Sequence, residues 1–593
     1  MKRKMVSAMT FLLLLTSMLM FAFHVRPVRA QGTIYIRADG SIDPTTAPIS
    51  TVDNVTYILT GNITSGADGI VIERNNIIFD GAGYTIIGTG YDYSGISLSG
   101  RSNVTIKNTR ITTFWWGIHL NSSSGNSISG NNITANSQYG IELYNSSNNS
   151  ISGNNIADNF YGIRASSSSN NNMAGNNITA NNHYGILLGI YLSSSNNNSI
   201  DGNAFVGCGL VVDDSYGSVV ADNLVNGKHL VYLEGKSDFV VEDAGQVVLV
   251  NCTRIGVENL SLSNTTAGVQ LWGTSNTAIS GNNIADNFYG IQLDFSSNNS
   301  ISGNDITNND DGIRLSYFAD NNSISGNNIA DNFYGIQLFF SDNSSISGND
   351  MANNFYGIRI SYSSDNNSIS GNNITNDAFG TGISSSSSFD NSIYHNNFDN
   401  APQQVYSDGS TNVWDDGYPS CGNYWRNYKG TDLFGGPYQN ETGSDGIGDT
   451  PYVTDENNTD HYPLMGMFSD FNATSEHHVQ TVCNSSISGF QYNGTALSFN
   501  VSGEHDTAGF CRICIPTTLM NVTYEVFVNG TEVSYNLLPC SNETYSYLYF
   551  NYTHSTQEVI IIPEFPTFLI LPLFFMATLS AVIVYRRKYC QID

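Results

Sequence analysis

Apolar and polar positions alternate along the middle of this chain in a unit that keeps returning. Its core reads Ser-Gly-Asn-Asn-Ile, then a short polar stretch, then aromatic-Gly-Ile-x-Leu or a close variant. The element recurs at Ser129-Gly130-Asn131, Ser152-Gly153-Asn154, Ser280-Gly281-Asn282, Ser302-Gly303-Asn304, Ser325-Gly326-Asn327, Ser347-Gly348-Asn349 and Ser370-Gly371-Asn372, with successive glycines in each half 22 or 23 residues apart. A fixed period of this size predicts a solenoid, in which each repeat buries its apolar side only against its neighbours. Helices do not fit, because Gly, Asn and Ser abound and apolar residues do not recur at three and four. In the copy that starts at Asn299, three short strands centre on Ile301, Ile306 and the alternating pair Ile313/Leu315. Gly303 sits where the chain must turn and a positive φ is needed. Three strands and three turns predict one rung of a right-handed parallel β-helix, an all-β solenoid. The Asn after each Gly is expected to form a ladder, its amide bonding the next rung.

The rest of the chain organises around that array. Residues 1–30 read as a signal peptide: Lys2, Arg3 and Lys4, an apolar run from Met9 to Phe23, then small residues at Val28-Arg29-Ala30. Residues 31–95 are β-rich and non-repetitive, an N-terminal cap running into the first coils. Coils fill 96–400, with an irregular interval over 201–272, and a C-terminal cap follows over 401–467. From 468 to 562, runs such as Leu497-Ser498-Phe499-Asn500-Val501 alternate at period two, and Asn529-Gly530 signals a hairpin. A small β-sandwich stalk is expected there. It holds Cys483, Cys511, Cys514 and Cys540, enough for two disulfides in any of three connectivities. Residues 563–593 carry an apolar stretch, Phe565 to Tyr585, long enough to be a single transmembrane helix, with Arg586-Arg587-Lys588 marking the cytoplasmic side. The stretch Pro563-Glu564-Phe565-Pro566, the span and the basic tail resemble archaeal PEF sorting segments. That resemblance implies tail removal and lipid attachment; the simpler alternative is a permanent anchor.

A second resemblance covers Thr33 to Met465. The phrases Asn-x-Ile-Ser-Gly-Asn-x-Ile and Tyr-Gly-Ile-x-Leu look like the NosD-type repeats of carbohydrate-associated β-helix proteins. Val225-Asn226-Gly227-Lys228 with Ala244 to Cys252 resembles that family's longer central coils. Tyr394-His395-Asn396-Asn397-Phe398 with Gly422-Asn423-Tyr424-Trp425 resembles its C-terminal cap. The family includes sugar-binding, sugar-cleaving and metal-associated members, so the resemblance implies a fold more than an activity.

Composition narrows the partners. The formal net charge is −29, yet only 12% of residues are charged. Solubility rests on Asn, Ser and Thr, and on glycans at abundant sequons such as Asn62-Ile63-Thr64 and Asn373-Ile374-Thr375. The acid excess and absence of a basic patch argue against nucleic acid.

Three sets of residues are candidates for chemistry. Aromatic pairs return at one repeat position, at Phe160-Tyr161, Phe288-Tyr289, Phe333-Tyr334 and Phe355-Tyr356, and adjacent rings cannot both point inward. Tyr161, Tyr289, Tyr334, Tyr356, Trp115 and Trp116 are therefore candidate sugar-stacking residues, unless the stripe only stabilises the coil. Acids and bases crowd where the repeat breaks, at Asp213, Asp214, Lys228, His229, Glu234, Asp238, Glu242 and Asp243. These are the catalytic candidates, against a polar lateral loop over one wide rung. Asp158, Asp286 and Asp331, and likewise Arg164, Arg314 and Arg359, repeat with the period and read as structural. Asp445, Asp449, Asp455 and Asp460 offer hard oxygen ligands near Gly-rich turns, as a structural Ca²⁺ requires. Copper is raised only by the NosD resemblance, with His461, Met465 and Met467 as its sole cluster.

The favoured expectation is a glycosylated, cell-surface-anchored β-helix that binds surface or extracellular polysaccharide. The alternatives are a polysaccharide lyase, epimerase or glycosidase, and a structural envelope protein, adhesin or metal-delivery accessory.

Overall fold

The computed structural model describes residues 32–564, apart from 184–185, 376–382, 400–403 and 521–522, together with residue 580. The expected leader and the span Phe565–Tyr585, apart from residue 580, lie outside the described residues. Among the described residues, no helix is long and apolar enough to cross a membrane. The chain divides into two compact units. One is Met1–Asn322 with Asn328–Leu338; the other is Ser323–Asn327 with Phe339–Asp593.

The first unit begins as the repeats dictate. Each coil lays down two short strands and one longer one, as at Ser127–Ser129, Asn132–Thr134 and Tyr139–Tyr144. Equivalent strands of successive coils stack in parallel and in register, placing Ile128 beside Ile151, Ile133 beside Ile156 and Ile141 beside Ile163. These isoleucines are fully buried and form one continuous core. Burial of each contributes roughly 1.5–3 kcal/mol, which no single coil would gain alone. The strand Ile34–Ile36 opens the stack and pairs antiparallel with Ile42–Asp43.

Turns are held by asparagine. Asn131 donates from Nδ2 to Asn154 Oδ1 at 3.0 Å, and Asn154 to Asn176, Asn176 to Asn203 and Asn203 to Asn223 follow at 2.9–3.0 Å. This is the ladder expected after Ser-Gly. Two more run beside it: Asn126 to Asn149 to Asn171, and Asn136 to Asn159 to Asn181. Each amide also donates to, or accepts from, a neighbouring main chain, as in Asn154 Nδ2 to Ile128 O at 3.0 Å. Buried turns thus leave few polar groups unpaired. Gly303 and its equivalents take φ near +60°, as the turn requires.

The second unit holds further coils of the same repeat. Ser323–Ser325, Ser345–Ser347, Ser368–Ser370 and Ser392–Tyr394 stack in parallel. Its cap is aromatic: Trp425 stacks on Phe398 at 4.5 Å and on Tyr452 at 4.2 Å. Residues 467–563 form two antiparallel five-stranded sheets with one shared apolar cluster around Phe499, Ile513, Phe550 and Ile561. Asn529-Gly530 turns the hairpin between Tyr524–Val528 and Thr531–Val533. Of the four cysteines in this segment, Cys483 and Cys511 are register partners on neighbouring strands.

Candidate functional site

The irregular interval 201–272 is neither another coil nor a loop over a wide rung. It is a junction between two arrays of coils, both within the first unit. The first array ends its long-strand stack at Gly209–Asp213. After Leu224–Val225, Asn226 and Gly227 take φ of 50° and 84°, the consecutive positive values of a tight hairpin turn. Lys228–Glu234 returns antiparallel to Leu224–Val225. It then starts a new parallel stack through Gln246–Val250, Ala267–Trp272, Tyr289–Asp294 and Asp311–Ser316. A short-strand stack of the first array thus leads into the long-strand stack of the second.

The free edge of Gly209–Asp213 meets the outer face of the new long-strand stack. Two glutamines replace the missing neighbouring strand. Leu210 N donates to Gln246 Oε1 at 3.0 Å, and Gln246 Nε2 donates back to Leu210 O at 2.8 Å. Val212 N donates to Gln270 Oε1 at 3.1 Å, and Gln270 Nε2 returns to Val212 O at 2.8 Å. Both glutamines are fully buried. A Cβ at position 209 would lie 2.3 Å from Thr265 Oγ1 and 2.4 Å from Gln246 Oε1, so this approach needs glycine. Trp272 Nε1 donates to the Tyr216 hydroxyl at 2.9 Å.

Beside this contact the two outer faces enclose a cavity of about 310 Å³. The first array contributes Phe160, Tyr161, Tyr191 and Asp213; the second contributes Trp272, Phe288, Tyr289, Gln292, Asp294, Arg314 and Tyr317. A line of rings leads to it along the first array, from Trp116 to Tyr139 at 6.4 Å, to Tyr161 at 5.1 Å and to Tyr191 at 5.8 Å. Tyr191 donates to Asp213 Oδ2 at 2.9 Å. Gln292 Nε2 donates to Asp294 Oδ2 at 2.6 Å, and Arg314 donates to the Tyr289 hydroxyl at 3.3 Å and to Asp311 at 3.4 Å.

Burial sets the electrostatics. It pushes Asp294 up to about 7, the nearby Asp213 charge adding to the effect, while Arg314, Ser316 and Gln292 oppose it. Burial also raises Asp213, against the Tyr191 hydrogen bond. Burial would lower the Arg314 guanidinium, but Tyr289, Asp311 and Asp294 more than offset it. The cavity therefore holds two carboxyl groups shifted toward their neutral forms, a permanent cation and walls of aromatic rings. Such a site can stack a sugar ring, bind its hydroxyls and exchange a proton with it.

The structure gathers some of the sequence candidates and disperses others. Tyr161 and Tyr289, one from each array, share the cavity with Asp213 and Asp294. Trp115 and Trp116 are half-buried further along the first array, and Tyr334 and Tyr356 sit on other coils. Asp214, Lys228, His229, Asp238, Glu242 and Asp243 are exposed. Asp238 forms a two-bonded pair with Arg254 at 2.6 and 2.8 Å, which lowers its carboxyl to about 2. Glu234 accepts from Tyr232 at 2.8 Å and from Gly217 N at 2.6 Å. Asp158, Asp286 and Asp331 take φ near +57° and are turn residues. Arg164 pairs with Glu142 at 3.2 Å. Asp294 and Arg314 have no distinct sequence signal beyond an acid at a position that holds Ser316 one coil later.

The metal candidates are engaged separately. Asp445 accepts from Ile447 N and faces Arg512 at 3.8 Å. Asp449 accepts from Phe434 N at 3.0 Å, and Asp455 from Asn458 at 2.8 Å. Asp460 accepts from Asn423 N and Trp425 Nε1, both at 2.8 Å. His461 turns its Nδ1 to Asp415 at 3.0 Å. Among the described residues, no group of three or more His, Cys, Asp or Glu converges. The second unit has a larger concavity, about 960 Å³, but small polar residues such as Ser325, Ser347 and Ser370 line much of it.

In-register coils, buried asparagine ladders and an outward aromatic stripe define a right-handed β-helix repeat protein. Residues 49–189 match a family model described as right handed beta helix region, and residues 232–430 match one described as periplasmic copper-binding protein (NosD). The two matches fall on either side of the Asn226-Gly227 turn. No curated protein matches the chain. Among solved structures, the chain is similar to the Azotobacter vinelandii mannuronan C-5 epimerase AlgE6 A-module, at 14% identity over 54% of this chain and 88% of that one, with a TM-score of 0.26. It is similar to a mutant tailspike protein of E. coli bacteriophage HK620 in complex with pentasaccharide, at 10% identity over 86% and 85% with a TM-score of 0.28. It is also similar to a PL6 alginate lyase complex with trisaccharide, at 12% over 65% and 80% with a TM-score of 0.19. Alignments that score this low carry no weight for activity.

Proposed function

We propose that this protein is a surface-displayed β-helix that binds an extracellular glycan in the cavity at the junction of its two coil arrays. The carrying observation is the cavity itself, in which Tyr161, Trp272, Tyr289 and Tyr317 surround Asp213, Asp294 and Arg314. Rings of this kind stack on pyranose faces, while a few buried polar groups fix orientation. Display outside the cell is supported by the leader-like Lys2 to Ala30, the apolar Phe565 to Tyr585 followed by Arg586-Arg587-Lys588, and the sequons.

The test is calorimetric titration of the purified full chain with neutral, amino-sugar and acidic polysaccharides. Tyr161→Ala and Tyr289→Ala are each expected to weaken binding roughly tenfold, as loss of about one ring stack implies. Tyr356→Ala, from the other unit, is expected to leave it unchanged. Equal affinities in all three variants would remove the cavity from glycan binding.

A second reading has an observation of its own: two carboxyl groups line the same cavity. With Asp294 raised to about 7, it carries a proton near neutrality. It would donate that proton to a glycosidic oxygen as the C–O bond breaks, and Asp213 would take one from the attacking water, whose oxygen bonds the anomeric carbon. New reducing ends that vanish in Asp294→Asn would establish cleavage; retained polymer without them would leave binding alone.

A further inference from the structure

A row of rings begins in the wall of the cavity and continues beyond it. From Ser94–Ser99 onward, the residue just past each long strand of the first array adopts a positive φ, and it is small: Gly100, Ser122, Asn145, Ser167, Ser194 and Asp214. In the second array Gly235, Asn251 and Gly273 keep this pattern, but the next two coils hold Phe295 and Tyr317, both at φ 51°, with Phe318 beside the latter at 64°. A bulky ring is disfavoured in this conformation, where Ser, Asn or Asp serves the turn better. Burial does not compensate for it, because Phe295, Tyr317 and Phe318 are 45%, 43% and 65% exposed. The rings are nevertheless ordered against one another. Trp272 lies 5.1 Å from Phe295; Phe295 stacks on Tyr317 at 5.8 Å and 15°, and Phe318 is 6.3 Å away. Trp272 and Tyr317 also line the cavity, so the row continues it outward. One ring per coil repeats at about 4.8 Å, a spacing that suits successive sugars of an extended chain.

Charge selects among glycans. Arg314 already pairs with Asp311 at 3.4 Å, with Asp310 also close to it, on a chain whose formal charge is −29. A polyuronate would bring like charge to that mouth.

We propose that Phe295, Tyr317 and Phe318, the first of them backed by Trp272, form an outer track on which an uncharged polysaccharide lies as it leaves the cavity. This rests on the cavity being a glycan site. The probes are cellobiose and cellohexaose, N-acetylglucosamine dimer and hexamer, and hexagalacturonate, each titrated into the full chain. The variant is Phe295→Ser with Phe318→Asn, residue types that the sibling turns already use.

One neutral hexamer is expected to bind at least tenfold more tightly than its dimer and than hexagalacturonate. The double variant is expected to lose roughly that tenfold for the hexamer, keep the dimer affinity and melt no lower than the parent. A hexamer bound no better than its dimer, a hexagalacturonate preference, or full hexamer affinity in the double variant would each overturn the track and leave the cavity standing. Lower melting with unchanged affinity would make the row a structural ladder, which also overturns it. If the parent chain binds none of the probes, the glycan reading of the cavity fails, and the track with it.

Discussion

Replacing Gln246 and Gln270 together by leucine is expected to release the strand Gly209–Asp213 and open the cavity. Each glutamine both accepts from and donates to one residue of that strand, at 2.8–3.1 Å, inside a fully buried interface. Leucine is close in size but returns neither bond. Leu210 and Val212 would each keep a buried N–H and C=O without partners, at about 1–3 kcal/mol per group. Water must then enter or the strand must detach. Amide exchange at Leu210 and Val212 is expected to accelerate on the order of 100-fold or more, since about 3 kcal/mol corresponds to roughly two decades. Glycan binding should fall with it, because Asp213 and Tyr191 would no longer face Asp294. Unchanged protection of both amides would show that apolar packing around Val211 and Trp272 alone holds the junction.

Asp294→Asn is expected to stabilise the chain in alkaline conditions and to leave it nearly unchanged in acid. In the folded chain the Asp294 carboxyl is raised to about 7 from an ordinary 3.8, chiefly by burial. The folded state therefore holds this proton more tightly than the unfolded state does. Its contribution is fully present below about pH 4 and is lost progressively as pH rises to about 7. Asparagine keeps the shape and the acceptor to Gln292 but cannot ionise. Above pH 7 the variant is expected to be more stable than the parent, by up to on the order of 4 kcal/mol. Near pH 4 the two should converge. Melting curves of parent and variant at pH 4.5 and 8 check this, and parallel pH profiles would show that Asp294 is not buried as a charge.

Much of the coil was legible because its contacts are local and repeated. Every Ile of the Ser-Ile-Ser strand meets another Ile one coil away, so one copy specifies all the others. The ladder through Asn131 follows from the same logic. The ladders through Asn126 and Asn136 were equally periodic, but their asparagines stand outside the Ser-Gly-Asn phrase and also read as ordinary turn residues. The junction was harder. Asn226-Gly227 is the same dipeptide as Asn529-Gly530 and makes the same kind of turn, yet it stands among coil-like segments that suggest one more rung. Asp213 drew notice because the repeat breaks around it. Asp294 did not, because its neighbours Tyr289-Gly290-Ile291-Gln292-Leu293 match the repeat. Nothing local distinguishes Gln270 from Gln292, although Gln270 is fully buried and Gln292 only half so. What separates them is the meeting of two arrays far apart in sequence, and a period within one array contains no information about it.

The most direct measurement is hydroxyl-radical footprinting of the full chain with and without the neutral polysaccharide it binds best, read by mass spectrometry at single side chains. Protection concentrated at Tyr161, Phe288 and Tyr317, with Tyr356 and Tyr438 labelled equally in both samples, is the predicted result. A bound glycan that leaves Tyr161 and Tyr317 as reactive as before would contradict the placement of the site at the junction.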